Sequence, residues 1–140
     1  MRVQSDARGV ENLPIILLLG IVLGACTLGI GARCLANVQN LSKLQQAVDD
    51  FNIFVERARI VSAGSEGNIQ QIELDLSPGR IVARGQLLQL VIDGEIRKSE
   101  VLPLPILVDG HEDCEIINGW YAIELRRNSR GEHFLELRGL

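Results

Sequence analysis

The densest cluster of side chains that could bind a metal is Asp109-Gly110-His111-Glu112-Asp113-Cys114-Glu115. Its carboxylates are the hard oxygen donors that Ca²⁺ prefers, and His111 with Cys114 would offer two zinc ligands. The spacing matches no established calcium loop, and the sequence supplies no second pair of zinc ligands. We therefore interpret the segment as a solvated acidic turn, and we predict no bound metal and no cofactor.

The remaining polar residues indicate no enzyme. His111 and His133 lie far apart, serine and cysteine occur in no nucleophile motif, and there is no phosphate-binding glycine loop. The net charge of −4 comes from interleaved acids and bases, with no basic stretch longer than Arg97-Lys98 and Arg126-Arg127. Nucleic-acid binding needs clustered positive charge. We predict a non-enzymatic protein that does not bind nucleic acid.

The three cysteines define no disulfide framework. Cys26 lies inside an apolar run, where a thiol behaves as a small hydrophobic group. Cys34 and Cys114 could pair in an oxidising compartment, although a long helix would hold Cys34 away from the globular part. Asn40-Leu41-Ser42 fits the acceptor pattern for N-glycosylation, so Asn40 is a candidate modification site if this segment is exported, although it lies in a predicted helix.

The apolar run Leu13–Ala32 predicts a membrane-spanning helix, because twenty residues at about 1.5 Å each cross a hydrocarbon core of about 30 Å. A polar leader, residues 1–9, precedes it. Glu11 and Asn12 suit a helix start, with Pro14 in the first turn. Gly20 and Gly24 have the spacing that lets two apolar helices approach closely, which predicts helix packing, although glycines are frequent in membrane helices in any case.

The helix is predicted to continue past Arg33 as an amphipathic segment. Apolar residues recur there at alternating four- and three-residue steps: Leu44, Val48, Phe51, Val55 and Ala58. One helix would then run from about Leu13 to about Ser62, on the order of 75 Å. Such a rod cannot lie wholly in a membrane. Its apolar stripe must meet either the chain's own globular domain or neighbouring copies.

Residues 63–68 contain helix breakers, and the pattern beyond them changes to period two. We predict strands at 71–76, 81–84, 86–92 and 95–99, with a hairpin turn at Asp93-Gly94. Residues 101–108 are extended, but Pro103 and Pro105 restrict them to an edge or a covering segment. A last hairpin joins 120–127 to 133–138. The predicted class is α+β: a long helix packed on a small, mostly antiparallel sheet of five or six strands.

Two kinds of processing fit the N-terminus. Leu23-Gly24-Ala25-Cys26 fits a lipobox with lipidation of Cys26, but the residues after Cys26 stay apolar where a lipoprotein normally continues with a polar tether. The other pattern is a short polar leader ending in Arg8-Gly9, an apolar helix that becomes amphipathic, and a compact β domain. This arrangement resembles the type IV pilin superfamily, and more narrowly the archaeal pilin-like proteins with class III signal peptides.

The resemblance implies that a prepilin peptidase recognises Arg8 and Gly9 and leaves Val10 as the new N-terminus. The retained helix, residues 10–62, would be first a membrane span and then part of a filament core, with residues 63–140 as the β domain. Bacterial members usually carry Phe first and Glu fifth in the mature chain, whereas here Val10 is first and Pro14 is fifth. Glu11 is the nearest acid that could neutralise a neighbour's N-terminal amine.

The expected function is that of a structural subunit of an archaeal-type surface filament, a homo-oligomer or a mixture with other pilins, made as a single-pass membrane precursor. The residues expected to take part in assembly are Glu11, Gly20, Gly24, Leu44, Val48, Phe51 and Val55. Two alternatives remain open at this point. One is a single-span membrane protein that displays an extracellular β domain, and the other is a lipoprotein anchored at Cys26.

Overall fold

Within residues 2–140, the chain forms one long helix and eight strands. The computed structural model describes residues 12–140, and of residues 2–11 only their place in the first helix. Helix α1 is Arg2–Ala63 and contains Pro14 in its interior. Pro14 therefore does not lie in the first turn as predicted, and α1 lacks the hydrogen bond that an ordinary N–H would donate there.

The chain divides into two compact units. The first, which we call the helical unit, ends at Asn40, and the second, the globular unit, is Leu41–Leu140. Because α1 ends at Ala63, its last 23 residues belong to the globular unit. The predicted helix end near Ser62 is confirmed, since Gly64 already departs from the helix and Gly67 has a positive φ of 83°.

The globular unit contains two four-stranded sheets, with orders β1-β7-β8-β5 and β4-β3-β2-β6. The strands are β1 (Ile69–Leu74), β2 (Arg80–Arg84), β3 (Leu87–Ile92), β4 (Glu95–Val101), β5 (Ile106–Val108), β6 (Cys114–Ile116), β7 (Gly119–Arg127) and β8 (His133–Gly139). Every described pairing is antiparallel except that of β5 with β8. The predicted α+β class is confirmed.

The predicted hairpins are present. Asp93 and Gly94 both have positive φ, 53° and 76°, as a two-residue turn between twisted strands requires. The prediction of five or six strands in one sheet is wrong, because β6 was missed and the strands split between two sheets. A strand of three residues is too short to show a period, and the choice of sheet depends on pairing between distant segments.

The two sheets and the second half of α1 enclose one apolar core. The helix is tied to both sheets along their edge strands. On the β1 side, Arg57 donates to Gln70 at 3.3 Å. On the β4 side, Arg59 donates to Glu100 at 3.1 Å, and Lys98 donates to Asn52. The helix therefore covers the gap between β1 and β4 and shields edges that would otherwise be open to pairing.

A further tie between the helix and the strands is made by a buried acid. Asp50 is only 8% exposed, and its Oδ2 accepts the backbone N–H of Asp75 at 2.6 Å. Its Oδ1 accepts the amide of Gln46 at 2.8 Å. Both carboxylate oxygens are thus hydrogen-bonded, which offsets the cost of burying the group. Asp50 fixes the position of the helix against the end of β1.

Candidate functional site

Most of the exposed large apolar side chains among residues 12–140 are on α1. From Asn12 onward this helix is long and apolar enough to cross a membrane, and none of its most apolar window is buried. The core helix of a soluble protein would satisfy the same test of length and composition, but its side chains would be covered. Leu13, Ile16 and Leu28 are instead 56%, 62% and 76% exposed. This segment has the properties of a membrane span.

The four glycines of this segment have no role in the packing of their own chain. A Cβ built at Gly20, Gly24, Gly29 or Gly31 would meet nothing within 4 Å. Gly24 and Gly31 are seven residues apart, and Gly20 is four residues before Gly24, so these three share one face of the helix. Gly29 lies on a different face. The first three form a small-residue stripe along an exposed apolar rod.

Apolar exposure continues beyond the predicted span. Leu35 and Val38 are both 60% exposed, and Val38 is seven residues after Gly31. Polar residues lie on the opposite side of the helix, where Arg33, Asn37 and Asn40 follow each other at four- and three-residue steps. We call the face containing Gly24, Gly31, Leu35 and Val38 the exposed stripe.

The structure corrects the assembly prediction for the second half of the helix. Phe51 is fully buried and Val55 is 4% exposed, both in the core of the globular unit. Leu44 and Val48 are partly buried against the same core. Phe51 and Val55 are therefore used within the chain, whereas Leu44 and Val48 keep part of their surface exposed along an open groove. Apolar residues at helical spacing predict that one face of the helix will be covered. They do not identify the surface that covers it.

The predicted processing residues Arg8, Gly9 and Val10, and the predicted assembly residue Glu11, lie outside the residues whose side chains the structure describes. Asn40 of the glycosylation pattern is exposed on the helix. Cys26 and Cys34 are exposed and Cys114 is partly buried, and all three are free thiols.

The acidic segment, residues 109–115, forms a tight turn. Val108 pairs with His111 across it, and Asp109, Gly110 and Asp113 all have positive φ. The Cys114 thiol lies 3.7 Å from the His111 carbonyl oxygen and 3.5 Å from that of Glu112. Within residues 12–140, no group of three or more His, Cys, Asp or Glu side chains is placed to hold a metal ion.

His133 and its neighbours form a surface ion cluster. Its Nε2 lies 3.2 Å from an oxygen of Glu66, and Arg127 Nε lies 3.3 Å from the same oxygen. The cluster joins the loop after α1 to the β7–β8 hairpin. His133 and Arg127 thus share one carboxylate oxygen of Glu66.

The outer face of the first sheet carries a second network that the sequence did not reveal. Glu124 and Glu136 lie directly opposite each other on β7 and β8. Two arginines offset their repulsion: Arg138 binds Glu124 at 2.9 Å, and Arg126 binds Glu136. The network is electrically balanced and therefore offers no net attraction to a charged ligand.

Two aromatic side chains of β7 differ in environment. Tyr121 donates its hydroxyl to the Ile117 carbonyl at 2.8 Å. Burial raises the pKa of the Tyr121 hydroxyl, and the negative charge of Asp109 raises it further. Trp120, the first residue of the predicted strand 120–127, is 53% exposed. A large aromatic side chain left this exposed is a candidate contact with another molecule.

Set beside known proteins, the chain matches no family model, no curated protein and no solved structure. The geometry of the two units is therefore the basis of the functional proposal.

Proposed function

We propose that the chain is a pilin-like structural subunit. It would be inserted in a membrane through its apolar helical segment and would assemble with other copies along that helix into a surface filament, after a prepilin peptidase cuts between Gly9 and Val10. The observation that carries the proposal is that the exposed apolar surface of α1 extends past the length that a bilayer needs.

A membrane anchor alone requires only the twenty residues Leu13–Ala32. Leu35 and Val38 follow at three and six residues beyond the end of that run and remain 60% exposed. Outside the hydrocarbon, each such side chain left in water forgoes about 1.5–3 kcal/mol of burial free energy. Contact with the helix of another copy would recover it.

The glycines support the same conclusion. Each glycine inside a helix costs about 0.8–1 kcal/mol relative to alanine. The open space above Gly20, Gly24 and Gly31 shows that the chain's own fold gains nothing in return. Small residues on one face let helices approach closely enough for extensive van der Waals contact. The exposed stripe is therefore suited to packing against a second apolar helix.

The globular unit supports a structural role of a different kind. It has a core of its own, and the second half of α1 is part of it. The unit would be carried by the helix and displayed at the outside of the filament. The acidic segment, residues 109–115, which the sequence offered as a possible metal site, forms a tight turn. His133 contacts Glu66 in a surface ion cluster.

The first experiment compares two glycines in cells that produce the chain. Gly24→Leu fills the exposed stripe, whereas Gly29→Leu adds the same side chain on another face. We expect the yield of sheared surface filaments, measured by pelleting and electron microscopy, to fall at least tenfold for Gly24→Leu and to change less than twofold for Gly29→Leu. Equal yields from both variants and the parent chain would refute packing through the stripe.

Mass spectrometry of the mature N-terminus tests the processing step. Val10 as the first residue supports the pilin-like proposal. An intact Met1 on cell-surface material would indicate a plain single-span anchor, and a lipidated Cys26 would indicate a lipoprotein. Either of these two results would contradict the proposal.

A further inference from the structure

A cavity of about 270 Å³ lies on the first sheet, where β5 runs beside the start of β8. Three partly buried apolar side chains line it: Pro105, Leu107 and Phe134. The Pro105 carbonyl accepts the N–H of Leu135 at 2.9 Å, and Ile106 pairs with Leu135. Because Ile106 and Leu135 are buried in the core, their neighbours along the strands face outward. The cavity, which we call the β5 pocket, therefore has an apolar surface with one aromatic ring.

Two carboxylates from separate loops also line the β5 pocket. Glu132 belongs to the β7–β8 hairpin, and Glu112 belongs to the acidic segment. Asn128, another lining residue, fixes the hairpin: its Oδ1 accepts the N–H groups of Arg130 and Glu132, each at 2.9 Å. Its Nδ2 donates to Glu132 Oε2 at 3.2 Å. The Glu132 carboxylate is thus held in place before any ligand binds.

These two carboxylates have no cationic partner. Among the ion pairs of residues 12–140, none includes Glu112 or Glu132. The remaining lining residue is His133, whose Nε2 lies 3.2 Å from Glu66. Neither lysine nor arginine is among the residues that line the pocket. The pocket therefore has the charge to attract a cation.

The neighbouring arginines do not supply that cation. Four of them lie on strands or loops beside the pocket: Arg84, Arg126, Arg127 and Arg130. The two on β7 bind Glu136 and Glu66. The other two, on β2 and in the β7–β8 loop, make no ion pair within residues 12–140. They weaken the negative potential around the pocket but leave its carboxylates without a direct partner.

The size and lining of the pocket indicate what it can hold. Pockets for drug-sized ligands and cofactors have volumes of about 300–1,000 Å³, so this one suits a single side chain. An arginine side chain has an aliphatic stem for the apolar surface and a planar guanidinium that stacks on an aromatic ring such as Phe134. Its fixed N–H donors also match carboxylate oxygens. Free arginine suits the pocket less well, because its own α-carboxylate would approach Glu112 and Glu132.

We propose that the β5 pocket binds an arginine side chain presented by a partner protein. Its guanidinium lies between Glu112 and Glu132 and stacks on Phe134. The site is contained within the globular unit, so it depends neither on membrane insertion nor on filament assembly, and either proposal can fail without the other.

Nuclear magnetic resonance of the isotope-labelled full chain in detergent tests the ligand. We expect N-acetyl-arginine methylamide to shift the backbone amide signals of Leu107 and Phe134 saturably. The matching citrulline derivative, which has nearly the same shape but no charge, should bind at least fivefold more weakly, and the lysine derivative at least twofold more weakly. Absence of saturable shifts, or equal binding of either derivative, would overturn the proposal. Equally tight binding of free arginine would overturn the assignment to a protein partner.

Three conservative variants locate the site. Glu112→Gln and Glu132→Gln each remove one charge from the pocket, and each should weaken binding of the arginine derivative at least threefold. Glu73→Gln removes another exposed acid that makes no ion pair within residues 12–140, but Glu73 is on β1 and does not line the pocket. We expect it to change the affinity by less than 1.5-fold. Equal losses in all three variants, with amide spectra that show a folded chain, would indicate only general charge attraction and would overturn the proposal.

Discussion

The two halves of α1 are parts of one continuous helix, yet their apolar side chains are covered in different ways. From Leu44 to Val61 the apolar face is buried in the chain's own core, with Phe51 and Phe54 fully inaccessible. From Leu13 to Val38 the large apolar side chains are exposed. Helix formation alone therefore does not decide what covers the apolar side chains of a helix. The first half needs an environment that the chain does not supply, and the second half is a structural part of the globular unit.

Removing apolar bulk from each half should show this difference most strongly. Phe51→Ala leaves a cavity in the core and should lower the free energy of unfolding of the globular unit by about 3–5 kcal/mol. Leu18→Ala, in the exposed half, should leave it unchanged within about 0.5 kcal/mol. Denaturant unfolding of the full chain in detergent, followed by far-ultraviolet circular dichroism, measures both. A large loss from Leu18→Ala would contradict the separation of the two units.

Asp49 and Asp50, adjacent on the second half of α1, compare the effect of removing an exposed acid with that of removing a buried one. Asp50→Ala removes the acceptor of the Asp75 N–H and should cost about 2–3 kcal/mol, because a charged hydrogen bond is lost and a partly buried donor is left without a partner. Asp49 accepts only an exposed bond from Gln45 at 2.9 Å, so Asp49→Ala should cost less than about 0.5 kcal/mol. Equal losses in the same unfolding experiment would mean that Asp50 does not anchor the helix.

Glycines in the two units provide a third contrast. A Cβ at Gly79 would lie 2.9 Å from the Val91 carbonyl oxygen and 3.1 Å from that of Leu76, so Gly79→Ala should destabilise the globular unit by about 1–3 kcal/mol. Gly24→Ala meets nothing and should leave the unit's stability unchanged. Thermal unfolding measures the stability of the globular unit in both variants. A stable Gly79→Ala variant would show that the β1–β2 turn can move away from β3.

The smallest expected effect is a pH dependence of the globular unit. Because the folded chain raises the pKa of Tyr121, the unfolded chain loses this proton first as the pH rises past about 10. The contribution of Tyr121 is therefore fully present below pH 10 and is lost as the pH rises through the raised value. Tyr121→Phe should cost about 1 kcal/mol at pH 8 through the lost bond to Ile117, and should flatten the stability profile above pH 10. If the stability of Tyr121→Phe falls above pH 10 as it does in the parent chain, another group causes this pH dependence.

Local sequence signals were sufficient for much of the fold. The breakers at 63–68 predicted the helix end within a residue, and Asp93-Gly94 predicted the hairpin because both residues tolerate positive φ. The signals were insufficient for β6 and for the division into two sheets. Those features depend on the pairing of Ile81 with Ile116 and of Ile106 with Leu135, which no local period encodes.

The candidate site was predicted in part. The apolar run and the spacing of Gly20 and Gly24 were evident from the sequence, because length and residue size are local properties. Trp120 was not recognised, since an aromatic residue in a strand is most often part of a core. Only the pairing of β7 with β1 and β8 placed it on the exposed face of the first sheet.

The sequence by itself determined that α1 is a long helix with an uncharged apolar run, because helical continuity and hydropathy depend on residues that are close in the sequence. The tertiary structure decided which apolar residues are left for other molecules. Phe51 and Val55 have the same periodic pattern as an assembly surface, but the two sheets cover them. A period of 3.6 residues specifies that a face must be buried, whereas the identity of the covering surface depends on contacts between residues distant in the chain.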